Sequence, residues 1–274
     1  MREKIIFIQK GRIVPFTDNK MIVCNKLKRS APKLETDFVE QDGSDGLGDG
    51  TTVFSPFSIE CEFTLFHDNV YDREIREQEL FSKIYQREAY YLVREAMPGV
   101  KYLVYPEDLS VGEIYNTHTE YTLSFNVFQG CSESLGSTLN PREVSFDTWQ
   151  FQQGLLADDY EYTFNHSIFS VYNLGDFDVD PREHYLKITV KGEADGGLQL
   201  YNRTTRERFV FRKSLIKNQG DTLEINGVYT YLNGVLSGID TNGELITLKS
   251  GKNDIELFGV GSPEISFDFH FRHK

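Results

Sequence analysis

The sequence predicts a mainly β protein built from two domains, the first of which carries a single α-helix. Three observations lead there. Apolar residues recur with a period of two in four separate segments, three Asn-Gly pairs punctuate one stretch near the C-terminus, and aromatic residues make up 14% of the chain. A two-residue period puts one side of an extended chain on a core and the other in water, the usual pattern of antiparallel sheets. The length, 274 residues, allows one large domain or two of ordinary size.

Taken from the N-terminus, Ile5-Ile6-Phe7-Ile8 begins an opening β segment. Lys33 to Pro56 contains Asp42-Gly43-Ser44-Asp45-Gly46-Leu47-Gly48-Asp49-Gly50, and so many glycines in a polar run predict a loop. From Ser58 to Phe66, Ile59, Cys61, Phe63 and Leu65 alternate with Ser58, Glu60, Glu62 and Thr64, which is a half-buried strand. One segment reads as a helix. Asp72 can cap it, and Ile75, Leu80, Phe81, Ile84 and Tyr85 supply the i, i+4 pairs Leu80/Ile84 and Phe81/Tyr85 before Pro98-Gly99. Strand periodicity returns in Tyr121, Leu123, Phe125 and Val127, in Leu186, Ile188 and Val190, and in Ile265, Phe267, Phe269 and Phe271. Asn226-Gly227, Asn233-Gly234 and Asn242-Gly243 each separate short apolar runs. Asn-Gly favours tight hairpins because both residues tolerate positive φ, so Thr222 to Leu248 reads as a meander. Ser132 to about Tyr162 is polar sequence around Trp149, the only tryptophan, and reads as a linker. The boundaries are therefore an N-terminal domain at 1–135, a linker at 136–164 and a C-terminal domain at 165–274.

Charge narrows the function. The chain holds 42 acidic and 29 basic residues, a net charge of -13, and affinity for phosphate backbones comes from clustered Lys and Arg. A nucleic-acid clamp is therefore not expected. The charge is also segregated: residues 1–33 carry nine Lys or Arg against Glu3 and Asp18, a net +7, which leaves -20 for the remainder. Such a molecule can be complementary to a neighbouring copy of itself, or can simply have a solvated basic start. No apolar run approaches 18 residues, and Ile5–Ile8 is too short for a signal-peptide core, so neither a membrane span nor secretion is expected and a cytoplasmic origin is. Cys24, Cys61 and Cys131 are an odd count without a C-x-x-C pair and read as small core residues.

Catalytic signatures are missing. There is no H-E-x-x-H, G-x-S-x-G or G-x-x-x-x-G-K-[ST], and His67, His118, His166, His184, His270 and His273 are scattered, with His270 on the polar side of the final strand. Asp42, Asp45 and Asp49 fall at loop positions 1, 4 and 8 without a glutamate at 12, unlike an EF-hand. Asp176, Asp178 and Asp180 share one face of an extended chain and could serve a cation or a hydrolase, although before Pro181-Arg182 they read more simply as an acidic connector. The expectation is no enzyme, no catalytic, cofactor-binding or metal-binding residue, and no cofactor. Sugar binding is the alternative, since β-sandwiches often stack an aromatic face on a saccharide; fifteen tyrosines could serve, but Trp149 lies in the linker.

The order of these features resembles the distal tail proteins (Dit) of siphophages that infect Gram-positive bacteria. Gln41-Asp42-Gly43-Ser44-Asp45-Gly46 is similar to that family's D-G-x-D-G loop, followed by the strand Phe57-Ser58-Ile59-Glu60-Cys61-Glu62-Phe63. Leu248-Lys249-Ser250-Gly251-Lys252-Asn253-Asp254-Ile255-Glu256-Leu257-Phe258-Gly259 resembles its L-x-x-G-x-N-x-I-x-[LIV]-x-G pattern, ahead of a last strand closing in Phe267 to Arg272. Gly48-Asp49-Gly50 lengthens the loop relative to the family. The resemblance implies an N-terminal β-sandwich belt domain with one helix and a C-terminal galectin-like β-sandwich. It further implies a homo-oligomeric ring, a hexamer, at the tail tip or baseplate of a virion, made in the bacterial host cytoplasm. The implied partners are copies of itself, the tail tube protein, the tail-tip protein and a receptor-binding protein, with DNA passing through the ring unbound. No catalytic residue comes with the family. The alternative reading is a carbohydrate-binding module for host cell-wall polysaccharide. On the ring reading, Lys26, Lys28, Arg29 and Lys33 are expected near an acidic surface of a neighbouring subunit.

Overall fold

The alternation in the first half of the chain folds into a β-sandwich closed by the helix. The computed structural model describes residues 3–18, 20–40, 45, 47–139 and 160–274, which fall into two units, Met1–Glu133 with Lys274 and Ser134–His273. The first holds β1 (Ile5–Gln9), β2 (Arg12–Pro15), β3 (Ile22–Arg29), β4 (Lys33–Glu40), β5 (Leu47–Ser55), β6 (Phe57–Phe66), α1 (Val70–Ile84), β7 (Tyr90–Arg94), β8 (Met97–Ile114) and β9 (His118–Val127); β10 is the short Ser132–Ser134. The strands follow the order β2-β1-β7-β8-β9-β6-β3. Strand β8 turns the corner between two layers: its first half pairs with β7 up to Val104, its second half with β9 from Tyr105, and the register slips between Pro106 and Asp108. A bulge of that kind bends a strand and lets it serve both sheets.

Phe7 lies at the centre of the core between the layers. Its ring stacks on Phe16 at 4.8 Å and meets Tyr90 at 4.9 Å and Phe125 at 5.7 Å. Ile59, Cys61, Phe63 and Leu65 from β6 and Tyr121, Leu123, Phe125 and Val127 from β9 all point into this core, as their alternation predicts. Helix α1 adds only Leu80 and Ile84. Ile75, Phe81 and Tyr85, which belong to the same apolar pattern in the sequence, are exposed.

The helix is capped three residues before the aspartate expected to cap it. Asn69 is the N-cap, its side chain accepting the Asp72 N–H at 3.0 Å. Asp72 reaches back to the Asp68 N–H at 2.8 Å and pairs with Arg76 at 2.7 Å, and these bonds hold its carboxyl below the usual range. Two orphan donors at the helix start are thereby satisfied reciprocally. Asn69→Ala is expected to cost about 1 kcal/mol, read as faster amide exchange across 70–84 with little change elsewhere.

The segment from Lys33 to Pro56 corrects the loop expectation. Apart from its tip, residues 41–44 and 46, which lie outside the described residues, it is an antiparallel hairpin of β4 and β5, paired from Lys33↔Ser55 to Glu40↔Leu47. Gly48 and Gly50 sit within the strand. The register slips between Thr36 and Phe38, and a Cβ at Gly50 would stand 2.0 Å from the Asp37 carbonyl oxygen. The glycine there makes room for a bulge, which polar composition alone does not distinguish from a loop.

The second unit is a two-layer antiparallel β-sandwich. Its strands are β11 (Thr163–Phe164), β12 (Ile168–Asn173), β13 (Leu186–Glu193), β14 (Leu198–Asn202), β15 (Glu207–Phe211), β16 (Thr222–Asn226), β17 (Tyr229–Leu232), β18 (Val235–Leu236), β19 (Gly251–Phe258), β20 (Gly261–Phe269) and β21 (Arg272–His273). One sheet has the order β11-β20-β13-β16-β17-β18, the other β12-β19-β14-β15. Leu186, Ile188 and Val190 of β13 and Ile265, Phe267 and Phe269 of β20 face Val171, Leu200, Phe209 and Ile255 in one core.

Two Asn-Gly pairs form hairpins, between β16 and β17 and between β17 and β18. The third does not. Asn242 donates to the Arg208 carbonyl at 2.7 Å and accepts the Val210 N–H at 3.0 Å, so its amide satisfies the edge of β15 as a strand would. The expected linker is also partly absorbed: Tyr162 is buried, Thr163–Phe164 pair with β20, and the Thr138 hydroxyl donates to the Phe267 carbonyl at 2.7 Å. Residues 140–159, including Trp149, lie outside the described residues.

The glycine-asparagine pattern near the C-terminus has a structural reason. Gly251 takes φ 88°, and Asn253, fully buried, accepts the Lys249 N–H at 2.9 Å and donates to the Lys249 carbonyl at 2.8 Å. One amide therefore closes the turn that launches β19. Asn253→Ala would strand the Lys249 groups that it satisfies, at a cost of about 1–3 kcal/mol, measured as a lower midpoint in urea for the C-terminal unit.

Candidate assembly surfaces

A protein that works by assembly carries its site on the outside, as apolar surface that one copy leaves uncovered. The N-terminal unit has several such surfaces, among them one on α1, one on the hairpin of β4 and β5, and one at the β8–β9 turn, where Val111, Ile114 and Tyr115 are exposed. On α1, Val70, Tyr71, Ile75, Phe81 and Tyr85 are all exposed, Tyr71 at 84%. At 100° per residue Tyr71, Ile75 and Tyr85 fall on the side away from Leu80 and Ile84, while Val70 and Phe81 flank that buried pair. The helix therefore carries apolar side chains outside its core-facing stripe. On the hairpin of β4 and β5, Leu34, Phe38, Val39 and Val53 are exposed, Phe38 at 63%. A two-stranded ribbon with its apolar residues in water is marginal by itself.

In the C-terminal unit, uncovered apolar side chains gather around the β17–β18 hairpin. Tyr229, Val235 and Leu236 are exposed there, and Ile239 just beyond it is exposed at 92%. Strand β18 ends its sheet.

The basic start of the chain is partly neutralised within the chain itself. Lys26 and Lys28 both approach Glu62, at 3.7 and 3.6 Å, and Lys33 lies 3.5 Å from Glu35. The Arg29 guanidinium sits over the Phe57 ring at 4.8 Å. Arg12, Lys83 and Arg87 form no ion pair among the described residues. The side chains expected to meet a neighbour thus have partners already, while other cations do not.

The carboxylates weighed for chemistry are structural. Asp178 accepts the Ser250 N–H at 2.9 Å and pairs with Lys249 at 2.6 Å. Asp180 accepts the Arg182 N–H at 2.9 Å, and Asp176 lies 3.9 Å from His273. Burial lowers the pKa of His273, and the Asp176 charge opposes the shift. Asp45 is exposed, while Asp42 and the side chain of Asp49 lie outside the described residues. No group of three or more His, Cys, Asp or Glu among the described residues is placed to hold a metal ion. Cys24 and Cys61 are buried neighbours, Sγ to Sγ 3.7 Å, and Cys131 is buried separately. The His270 Nδ1–H donates to the Gly136 carbonyl at 3.0 Å. For sugar binding, Tyr201 on the outer face of the four-stranded sheet is covered by the Arg208 guanidinium at 4.9 Å, so its ring is not an open platform.

With these surfaces described, comparison with known proteins becomes informative. Residues 16–127 match the family model of the phage tail protein RIFT-related domain. That match covers most of the N-terminal unit. The matched segment runs from Phe16 to Val127, so it includes the uncovered apolar residues of the helix and of the hairpin. Over the whole chain the fold is Dit-like. The SPP1 Dit protein, described as a paradigm of the hub adsorption apparatus in phages infecting Gram-positive bacteria, superposes with a TM-score of 0.72 at 11% identity, covering 98% of this chain and 99% of that one. A chain of the phage P2 baseplate in its activated conformation with calcium gives 0.51 at 11% identity, covering 99% and 98%. No curated protein sequence matches.

Proposed function

We propose that the protein is a structural hub of a siphophage tail tip. It closes with copies of itself into a ring, a hexamer, that joins the tail tube to the tail-tip protein and offers its C-terminal domain as the mount for receptor-binding components. The observation that carries this reading is a tail-family domain whose helix and hairpin both leave apolar surface uncovered in a single copy. A ring needs two different surfaces on each subunit, one to give and one to receive. The helix and the hairpin are candidates for them.

The work of such a hub is mechanical. It needs no nucleophile and no cofactor, and the polar clusters described above are engaged in holding turns and strands. DNA passes through the ring without being held, because a chain with net charge -13 lacks the dense cationic track whose counterion release drives binding. In a gel-shift titration at physiological salt, duplex DNA is expected to run unretarded; retention that weakens steeply with added salt would contradict an inert conduit. The hub reading is tested on virions that contain the chain. Antibody against it should label the distal tail tip. Label on the capsid, or only on free protein in the lysate, would overturn the reading.

A further inference from the structure

We propose that Cys24 and Cys61 are a redox pair that a small peroxide closes into a disulfide, stapling strand β3 to strand β6 at the base of the β4–β5 hairpin. The modification takes place within one copy and does not depend on the ring reading.

A break in register brings the two thiols together. Strands β3 and β6 are antiparallel, with Cys24 opposite Phe63 and Leu27 opposite Cys61, and the slip between Cys24 and Lys26 accommodates Asn25 as an extra residue. A bulge of this kind lets Cys24 and Leu27, three positions apart, both face the core that Cys61 faces. The thiols then lie diagonally across the ladder, Sγ to Sγ 3.7 Å, one donating to the other. The sulfurs of a disulfide are about 2.05 Å apart, so about 1.7 Å remains to be closed, which rotation about the two Cα–Cβ bonds can supply while the strands stay paired.

The surroundings select the oxidant and the order of attack. Cys24 is 1% exposed and Cys61 is not exposed, so a bulky reagent is shut out, whereas hydrogen peroxide is little larger than water. Strand β3 ends its sheet, and away from β6 Cys24 meets the chain through an isolated bridge to Glu3. Local opening therefore uncovers Cys24 before Cys61, which lies on a strand paired on both sides. The hydrogen bond from the Cys61 thiol lowers the pKa of Cys24 against the effect of burial, and the same bond together with burial raises that of Cys61. The thiolate is the nucleophile. The Cys24 sulfur attacks one peroxide oxygen, the O–O bond breaks and hydroxide leaves, giving a sulfenic acid. The Cys61 sulfur then attacks the Cys24 sulfur and displaces its hydroxyl. The two thiol protons end in two water molecules, and the two electrons given up by the sulfurs have reduced the peroxide.

The bond has a mechanical consequence. Cys24 and Cys61 are 37 positions apart, and the whole hairpin, paired from Lys33 to Ser55, lies between them. Closing a loop of that length removes conformational freedom from the unfolded chain. An edge strand held by one ladder becomes covalently fixed where the hairpin leaves the sandwich.

The full-length chain is treated with hydrogen peroxide, quenched, unfolded in urea and alkylated. One cysteine should alkylate instead of three, a peptide carrying Cys24 should be joined to one carrying Cys61, and dithiothreitol should restore all three thiols. The urea midpoint of the N-terminal unit should rise by about 1 M in the oxidised chain. Cys24→Ala and Cys61→Ala should each abolish the linked peptide and the rise. Three alkylated cysteines after a dose that fully oxidises a small-molecule thiol would overturn the proposal. So would a bond to Cys131, sulfinic or sulfonic acid at either position with no linked peptide, or a linked chain whose midpoint falls. All of these readings are made on single chains, so their failure leaves the hub reading untouched, and a chain that forms no ring leaves them interpretable.

Discussion

Phe7→Ala is expected to unfold the N-terminal unit or bring it close to unfolding. Phe7 is fully buried, with three aromatic rings within 5.7 Å drawn from both layers of the sandwich and from the β2 side of the core. Removing a ring from such a site loses its transfer free energy and leaves a cavity that a sheet-bound backbone cannot collapse, about 3–5 kcal/mol in all. Whole domains are stable by only about 5–15 kcal/mol. Amide exchange in β1, β7 and β9 should accelerate together, and assembly should fail as a consequence, because the helix and the hairpin both belong to that unit. The C-terminal unit has its own core and should keep its protection.

The second large effect concerns a buried ion pair. Lys101, 7% exposed, lies 3.6 Å from Glu133, and Tyr91 joins them by donating its hydroxyl to Glu133 at 3.1 Å and presenting its ring to the ammonium at 4.4 Å. Glu133→Gln leaves the ammonium buried without its counter-charge, which typically costs about 3–5 kcal/mol. Replacing both residues, Lys101→Met with Glu133→Gln, should restore most of that loss, because no charge is then left inside. Burial lowers the pKa of Lys101, and Glu133 only partly opposes the shift. With the folded value below the unfolded one, the unfolded chain binds more protons between the two. Stability from this group therefore rises as the pH climbs through that window towards about 10.5 and is lost as the pH falls through the folded value. Lys101→Met should remove that alkaline rise. Exchange rates of the β7 and β8 amides across the pH range read it directly.

Much of the fold was legible because alternation has a single physical meaning. Ile59 to Leu65, Tyr121 to Val127 and Ile265 to Phe269 alternate in sequence and face a core in the structure, since a half-buried strand has no other way to satisfy that pattern. The errors lay where one composition serves two geometries. Gly48 and Gly50 suggested a loop and occupy a strand, because a bulge at Asp37 demands a missing Cβ just as a turn does. Asn242-Gly243 suggested a hairpin, yet Asn242 turns its amide on β15, an interaction between segments 32 residues apart that no local pattern records. Phe81 and Tyr85 sit at the same helical spacing as Leu80 and Ile84, yet they are exposed and Leu80 and Ile84 are buried. Spacing reports that a helix has an apolar face; it does not report whether the neighbour that covers it is in the same chain. The uncovered residues were thus visible in the sequence as apolar, and the structure was needed to show that they lie outside.

The central claim, that one copy is an incomplete object made to close on itself, is tested most directly by electron microscopy of the purified full-length chain at high concentration. The account predicts closed rings whose class averages show sixfold symmetry, each subunit contributing 31.6 kDa. Single separated subunits at every concentration, or open chains of subunits that never close, would contradict it.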